Sequence, residues 1–295
     1  MNIVYLVFGE ELSNHIQANF SILTMLTQKK EFNRITVITD LPRLYKHLSD
    51  AVSIIKIEES NLQEWKGRYD FFWRIKIKAL ELIADTYQHE HLLYLDSDTF
   101  LFGDLKQIKE KLDDGFSFMH LNEGPLGQLN TKTEKTMWSQ TKKGKFGPVQ
   151  INQDHCMWNA GVIGIPKNKS TKLIQTTLEI CDAMLEQNVT RRLIEQFAFS
   201  VALQNFSNLI PAENQIGHYW GNKEQWHELI IKLFINSYLS NLSLKELIES
   251  IKAIDYDKVP INIKRSNTER RLHNLVTKIF PIQEKKYIPP TRTRS

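Results

Sequence analysis

Cysteine is scarce: Cys156 and Cys181 are the only two in 295 residues, and no Cys-x-x-Cys pair occurs. Two thiols cannot build a disulfide framework, and without paired-cysteine spacing there is no signature of a structural zinc site. A reducing compartment is therefore expected. Long apolar runs are also missing. The chain opens MNIVYLVFGEEL, an apolar run of about 7 residues with no basic stretch before it, against the ~20 residues needed to span a bilayer. The expectation is a soluble, cytoplasmic protein. Neither repeats nor low-complexity tracts occur. With 41% hydrophobic and 24% charged residues, the chain can bury a sizeable core, which excludes disordered, collagen-like and coiled-coil classes.

Acidic residues are scarce at the C-terminal end. Residues 264–295 hold nine Lys or Arg and two Glu, whereas residues 1–263 hold 29 basic and 32 acidic residues. The body is mildly acidic and the tail carries all the excess positive charge. A basic patch on the folded body is what nucleic-acid binding would want, so no nucleic-acid partner is expected. In the tail, Leu272, Leu275, Val276 and Ile279 fall on one helical stripe flanked by basic residues. That pattern suits the surface of an anionic membrane, and equally a helix packed on the body.

What the first half does contain is alternation. Asn2–Phe8 (NIVYLVF), Arg34–Thr39, Val52–Ile57 and His91–Asp96 (HLLYLD) read as buried strands. Helical spacing follows Ser13, and again from about Asp70 to Tyr87. Strands alternating with helices imply crossover connections and a mostly parallel sheet covered on both faces, an α/β fold. Phe116–Leu121 and Ala160–Ile165 predict two further strands, separated by a loop of about 38 residues, 122–159. Helices are expected at 170–187 and 191–204, with a short strand near 206–210. Beyond Trp220 the pattern becomes helical, at roughly 223–236 and 243–254.

Asp96-Ser97-Asp98 carries the most chemistry per residue. In a strand, Asp96 and Asp98 project to one side and Ser97 to the other. Paired carboxylates repel unless a cation sits between them, and this pair lies at a strand's carboxyl end, where open α/β sheets bind ligands. Oxygen ligands suit a hard ion, Mg²⁺ or Mn²⁺, holding a diphosphate. The competing reading is a strand ending in turn formers.

The segment LLYLDSDTFLFGDL resembles the DxD segment of GT-A-fold nucleotide-sugar glycosyltransferases, in particular glycosyltransferase family 8. Three further segments follow in the family's order: Asn159-Ala160-Gly161 before a strand, Glu195-Gln196 where the family has Asp-Gln on a helix, and His218-Tyr219-Trp220-Gly221-Asn222-Lys223 where it has His-x-x-Gly-x-x-Lys. The resemblance covers residues 1 to about 225. Two departures stand out: Gly221 and Lys223 are one residue closer together than in the family, and Glu195 replaces an Asp.

The resemblance implies a GT-A fold with a helical C-terminal part. Residues 1–225 would form the nucleotide-sugar-binding and catalytic domain, 226–263 a helical extension and 264–295 a basic tail. It implies Asp96, Asp98 and His218 as ligands of Mn²⁺ or Mg²⁺. Phe8, Gly9, Asp40, Arg74, Lys78, Ser97, Gly221 and Lys223 would surround the donor, with Asp40 against the base and Lys223 at the diphosphate. Arg74 and Lys78, four apart, share a helix face. Asn159, Glu195 and Gln196 would orient the sugar and acceptor. Apart from the resemblance, Glu123, Asp154 and His155 lie in or beside the 122–159 loop and are candidate acceptor contacts that nothing in the sequence ranks, and Asp104 is expected only to cap the next helix.

The implied activity is transfer of a sugar, with retention, from a nucleoside-diphosphate-sugar, a UDP-sugar, to a hydroxyl of a glycan or glycolipid such as a bacterial lipopolysaccharide or capsule. A nucleotidyltransferase of the same fold class would favour a glycine-rich basic loop after the first strand. That position reads Phe8-Gly9-Glu10-Glu11. A non-catalytic nucleotide-sugar-binding module is the third reading, and the intact Asp-Ser-Asp argues against such decay.

Overall fold

The structure, a computed structural model, describes residues 1–263 and, further on, residues 272, 275, 276 and 278–280. The first strands form where β-branched and aromatic residues run together: β1 (Asn2–Leu6), β2 (Arg34–Thr39) and β3 (Ser53–Lys56). Between them lie α1 (Leu12–Leu26) and a seven-residue 3-10 helix at Pro42–Leu48. Then come α2 (Glu59–Lys66), α3 (Arg74–Thr86), β4 (Leu92–Leu95), β5 (Thr99–Leu101) and α4 (Leu105–Asp113). As expected, Asp104 caps α4, its carboxylate accepting from the Lys106 amide at 2.9 Å. The helix expected from Asp70 begins only at Arg74, because Asp70 takes a left-handed φ of 45° and breaks the turn before it.

The expected 122–159 loop is instead a folded insertion. After β6 (Phe116–Met119) it builds β7 (Asn122–Pro125), α5 (Lys132–Thr141), β8 (Lys145–Phe146), β9 (Val149–Gln150) and β10 (Cys156–Trp158). Its signals were short and local. Thr131 and Glu134 form a capping box at the start of α5, and β7 pairs antiparallel with β10. The chain continues through β11 (Val162–Ile165), α6 (Ser170–Glu186), α7 (Ile194–Phe206), β12 (Asn208–Pro211), β13 (Ile216–His218), α8 (Lys223–Leu239) and α9 (Leu244–Lys252).

Seven strands make the central sheet, in the order β12-β6-β11-β4-β1-β2-β3. β11 runs antiparallel to both of its neighbours, and every other pairing is parallel. Side chains alternate between two apolar layers. Val4, Ile38, Leu92 and Tyr94 face a core shared with α3, α6 and α7. Ile3, Tyr5, Val37, Leu93 and Leu95 face a second core, shared with α1, α8 and α9. With both faces covered, β4 is buried along its whole length.

Met1–Ile261 is one compact unit and Asn262–Ser295 a second. The helices after residue 225 belong to the first, since Trp226, Ile230, Leu247 and Ile251 are buried in the second core. In the tail, Leu272, Leu275, Val276 and Ile279 are helical and exposed. Its basic residues other than Lys278 lie outside the described residues, and with them the charge on which the membrane expectation rests. No helix among the described residues is long and apolar enough to cross a membrane.

Candidate active site at the end of the central strand

β4 ends at Leu95, and the Asp96 amide makes one more bond, to the Gly161 carbonyl at 2.8 Å. The chain then turns through Asp96-Ser97-Asp98 into β5. β5 pairs antiparallel with β13, so that Thr99 lies opposite His218, and the Tyr219 amide donates to the Asp98 carbonyl at 3.1 Å. This register brings His218 beside a carboxylate 120 residues earlier in the chain. One ligand atom each from Asp96, Asp98 and His218 lies within 4.8 Å of the others.

The imidazole is held from both sides. Its Nδ1 lies 3.0 Å from Asn159 Oδ1, an oxygen that also accepts from the Gly161 amide at 3.0 Å. An amide oxygen only accepts, so Nδ1 carries a proton and Nε2 points at the carboxylates. Nε2 then faces Asp98 Oδ1 at 3.2 Å. At that distance either a proton on Nε2 is shared with the carboxylate or a bound cation takes its place. Gly161 provides the room, because a Cβ there would overlap the His218 ring. His120 stacks edge-on to that ring with centroids 5.2 Å apart. Burial, and next the charge of His218, push its own imidazole down to about 4.

Charge is balanced tightly at this end of the sheet. Burial raises the Asp98 carboxyl, but the hydrogen bond and charge of His218, and then Lys223, outweigh it and hold the group well below the usual range. Lys223 Nζ sits 2.8 Å from Asp98 Oδ2. On α3, Lys76 is buried with its Nζ 3.2 Å from Asp96 Oδ1, 3.2 Å from Glu195 Oε1 and 3.3 Å from the Ala160 carbonyl. Burial alone would lower the Lys76 ammonium, yet Asp96 and Glu195 reverse that and raise it. Burial raises the Glu195 carboxyl, and Lys76 only partly offsets this. Tyr94 donates its hydroxyl to Asp96 Oδ1 at 2.7 Å.

These groups line a cleft of about 970 Å³, together with Phe8, Ser97, Glu123 and Gln196. Several expected residues are placed elsewhere. Arg74 reaches Asp182 on α6 at 2.8 and 3.0 Å and the Trp65 carbonyl at 2.9 Å. Lys78 pairs with Glu81 one turn along its own helix. Neither lines the cleft; the cation that α3 contributes there is Lys76, which sequence reasoning passed over. Asp40 accepts from the Gly9 amide at 3.2 and 3.1 Å, and neither residue lines the cleft, nor does Gly221. Asn159 holds His218. Of the three unranked residues only Glu123 reaches the cleft; His155 bonds Asn205 on α7 at 2.8 Å.

Two carboxylates and an imidazole whose Nε2 faces them fit a hard or borderline divalent ion. No protein-family model matches the chain, and no curated protein matches it. Solved structures do. The galactosyltransferase LgtC in complex with donor and acceptor sugar analogues matches with a TM-score of 0.51 and 12% identity, over 87% of this chain and 98% of that one. An active-site mutant of LgtC matches with a TM-score of 0.51 and 13% identity, over 79% of this chain and 94% of that one. The fold is the GT-A glycosyltransferase fold. At that identity the likeness concerns architecture. Within the GT-A frame, the Asp-Ser-Asp turn, the Asn-Ala-Gly segment and His218 converge at one end of β4.

Proposed function

We propose that the protein is a metal-dependent glycosyltransferase that moves a sugar, with retention, from a nucleoside-diphosphate-sugar, a UDP-sugar, to a hydroxyl of a glycan or glycolipid. The observation that carries this reading is the β5–β13 register, which joins His218 to Asp96 and Asp98 at the carboxyl end of a parallel strand. A divalent ion bound there, Mn²⁺ or Mg²⁺, supplies positive charge for the leaving diphosphate. The chain's own residues do the rest. Asp96, Asp98 and His218 hold the ion, and Lys223, half-exposed at the cleft, offers a fixed cation to phosphate oxygens. Lys76 orients Asp96 and Glu195 on the side where the transferred sugar would lie. Gln196 and Asn159 supply neutral hydrogen-bonding groups beside it. The acceptor would be a bacterial surface oligosaccharide on lipid, with the enzyme on the cytoplasmic side and its basic tail at the membrane surface.

Thermal unfolding with a panel of nucleoside diphosphates, each with Mn²⁺ and with EDTA, tests this. A ligand at 100 times its dissociation constant adds roughly 2.7 kcal/mol of stability. The expected result is a rise of several degrees with one nucleotide, abolished by EDTA and by Asp98→Asn. No rise with any nucleotide would refute the reading.

A further inference from the structure

The acidic side chains of the cleft differ in how they are neutralised. Asp96 and Glu195 share Lys76, and Asp98 has His218 and Lys223. Glu134 accepts from the Thr131 amide at 2.9 Å in the capping box of α5. Glu123 is different. It is partly buried in the wall of the cleft, and among the described residues no lysine, arginine or histidine forms an ion pair with it. Its hydrogen-bond partner is neutral: Gln196 Nε2 donates to Oε2 at 3.2 Å, and the nearby Asn159 amide only partly offsets the effect of burial on the carboxyl. Burial is the main reason its carboxyl is raised. A desolvated carboxylate without a cation is costly, and such a group facing a cleft marks a place where a ligand supplies the missing donors.

Charge decides which ligand. The fixed cations of the cleft floor, Lys76 and Lys223, lie against Asp96 and Asp98, so the diphosphate belongs on that side. Glu123 would repel it. The side chain projects from β7, where the folded insertion meets Gln196 on α7. Arg192 also lines the cleft but is exposed, where water and salt screen it. We propose that Glu123 is the acceptor-binding carboxylate: it takes hydrogen bonds from hydroxyls of a neutral sugar and disfavours acceptors that carry negative charge at the reacting end. The assignment rests on the glycosyltransferase reading and adds to it the chemical class of the acceptor.

The test uses the full chain loaded with Mn²⁺ and UDP or UDP-sugar. Binding and transfer are measured with neutral methyl hexopyranosides and the matching methyl hexuronides, beside the nucleotide-induced thermal shift. Wild type should engage neutral members and discriminate against uronides. Glu123→Ala should raise the dissociation constant or KM for neutral sugars about tenfold while the nucleotide shift stays as in wild type. Glu123→Gln keeps an oxygen for Gln196 but removes the charge, so it should narrow the neutral-to-uronide ratio, which a purely structural role would leave alone. An unchanged ratio in Glu123→Gln, an unchanged neutral KM in Glu123→Ala, a wild-type preference for uronides, or no neutral glycoside bound would each overturn the proposal, with the nucleotide shift intact. Loss of that shift in wild type would instead overturn the underlying reading, and this proposal with it.

Discussion

At the residue scale the site depends on small groups as much as on charged ones. Gly161 has no side chain, and that lets the His218 ring approach Asp98 and Asn159. Gly161→Ala should therefore displace the ring. The Mn²⁺-dependent nucleotide shift is expected to vanish while the apo protein still unfolds cooperatively, which calorimetry with and without ligand would show. His120 makes a separate prediction about pH. Burial lowers its imidazole to about 4, so below the ordinary value of about 6.5 the unfolded chain takes a proton that the folded chain refuses. Stability should be full above that value and fall as pH drops towards 4. The depressed Asp98 carboxyl works in a lower window: its contribution is complete above its ordinary value of about 3.9 and is lost only on further acidification. Burial lowers His91 and His155 as well, so His120→Asn should reduce the slope of thermal midpoint against pH between 6.5 and 4 without removing it.

At the element scale α3 shows where sequence reasoning stops. Three cations, Arg74, Lys76 and Lys78, sit on alternate residues of one helix. Spacing alone pairs Arg74 with Lys78 and says nothing of which face meets the sheet. Packing against α6 gives Arg74 a carboxylate there, and Lys76 is turned inward beneath β4. Lys76→Met would leave Asp96 and Glu195 without their cation, at a cost of about 3–5 kcal/mol. A midpoint loss of about ten degrees and loss of the nucleotide shift are expected. Arg74→Ala should lower the midpoint yet leave that shift in place, and titration of both variants with nucleotide would check the contrast. The strands within 122–159, a segment the sequence presents as a loop, are not legible there for a related reason. Its strands are two to four residues long, too short for periodicity to register. The Thr131–Glu134 capping box was its one legible signal.

At the scale of the whole molecule, α8 and α9 complete the core. Trp226 is fully buried, stacked on Phe100 at 4.4 Å and on Tyr219 at 4.7 Å between ring centroids, and its indole nitrogen donates to the Pro260 carbonyl at 3.1 Å. Phe100 and Tyr219 flank the candidate metal ligands Asp98 and His218 in the chain, so the helical part buttresses the site. Trp226→Ala should cost about 3–5 kcal/mol, and a chain ending at residue 225 should expose Phe100 and Tyr219 and aggregate. Size-exclusion chromatography of the truncated chain would show it. Removing residues 264–295, which fall within the second unit, Asn262–Ser295, should leave the midpoint nearly unchanged. If the tail is the membrane contact, its removal abolishes sedimentation with anionic vesicles.

The sequence by itself determined the α/β class, the buried parallel strands and the Asp-Ser-Asp turn, because these follow from local composition and from the side-chain period of a strand. It also pointed to His218 and the Asn159–Gly161 segment, through resemblance. Only the tertiary structure decided that Asn159 serves His218, that Lys76 rather than Arg74 or Lys78 enters the cleft, and that Glu123 stands there without a cation. Those outcomes depend on contacts between residues tens of positions or more apart: β5 on β13, α3 on α6, β7 beside α7. A side chain's charge can be read from the chain. Which neighbour neutralises it is settled when the elements pack, since a buried charge must be met by whatever group that packing brings within reach.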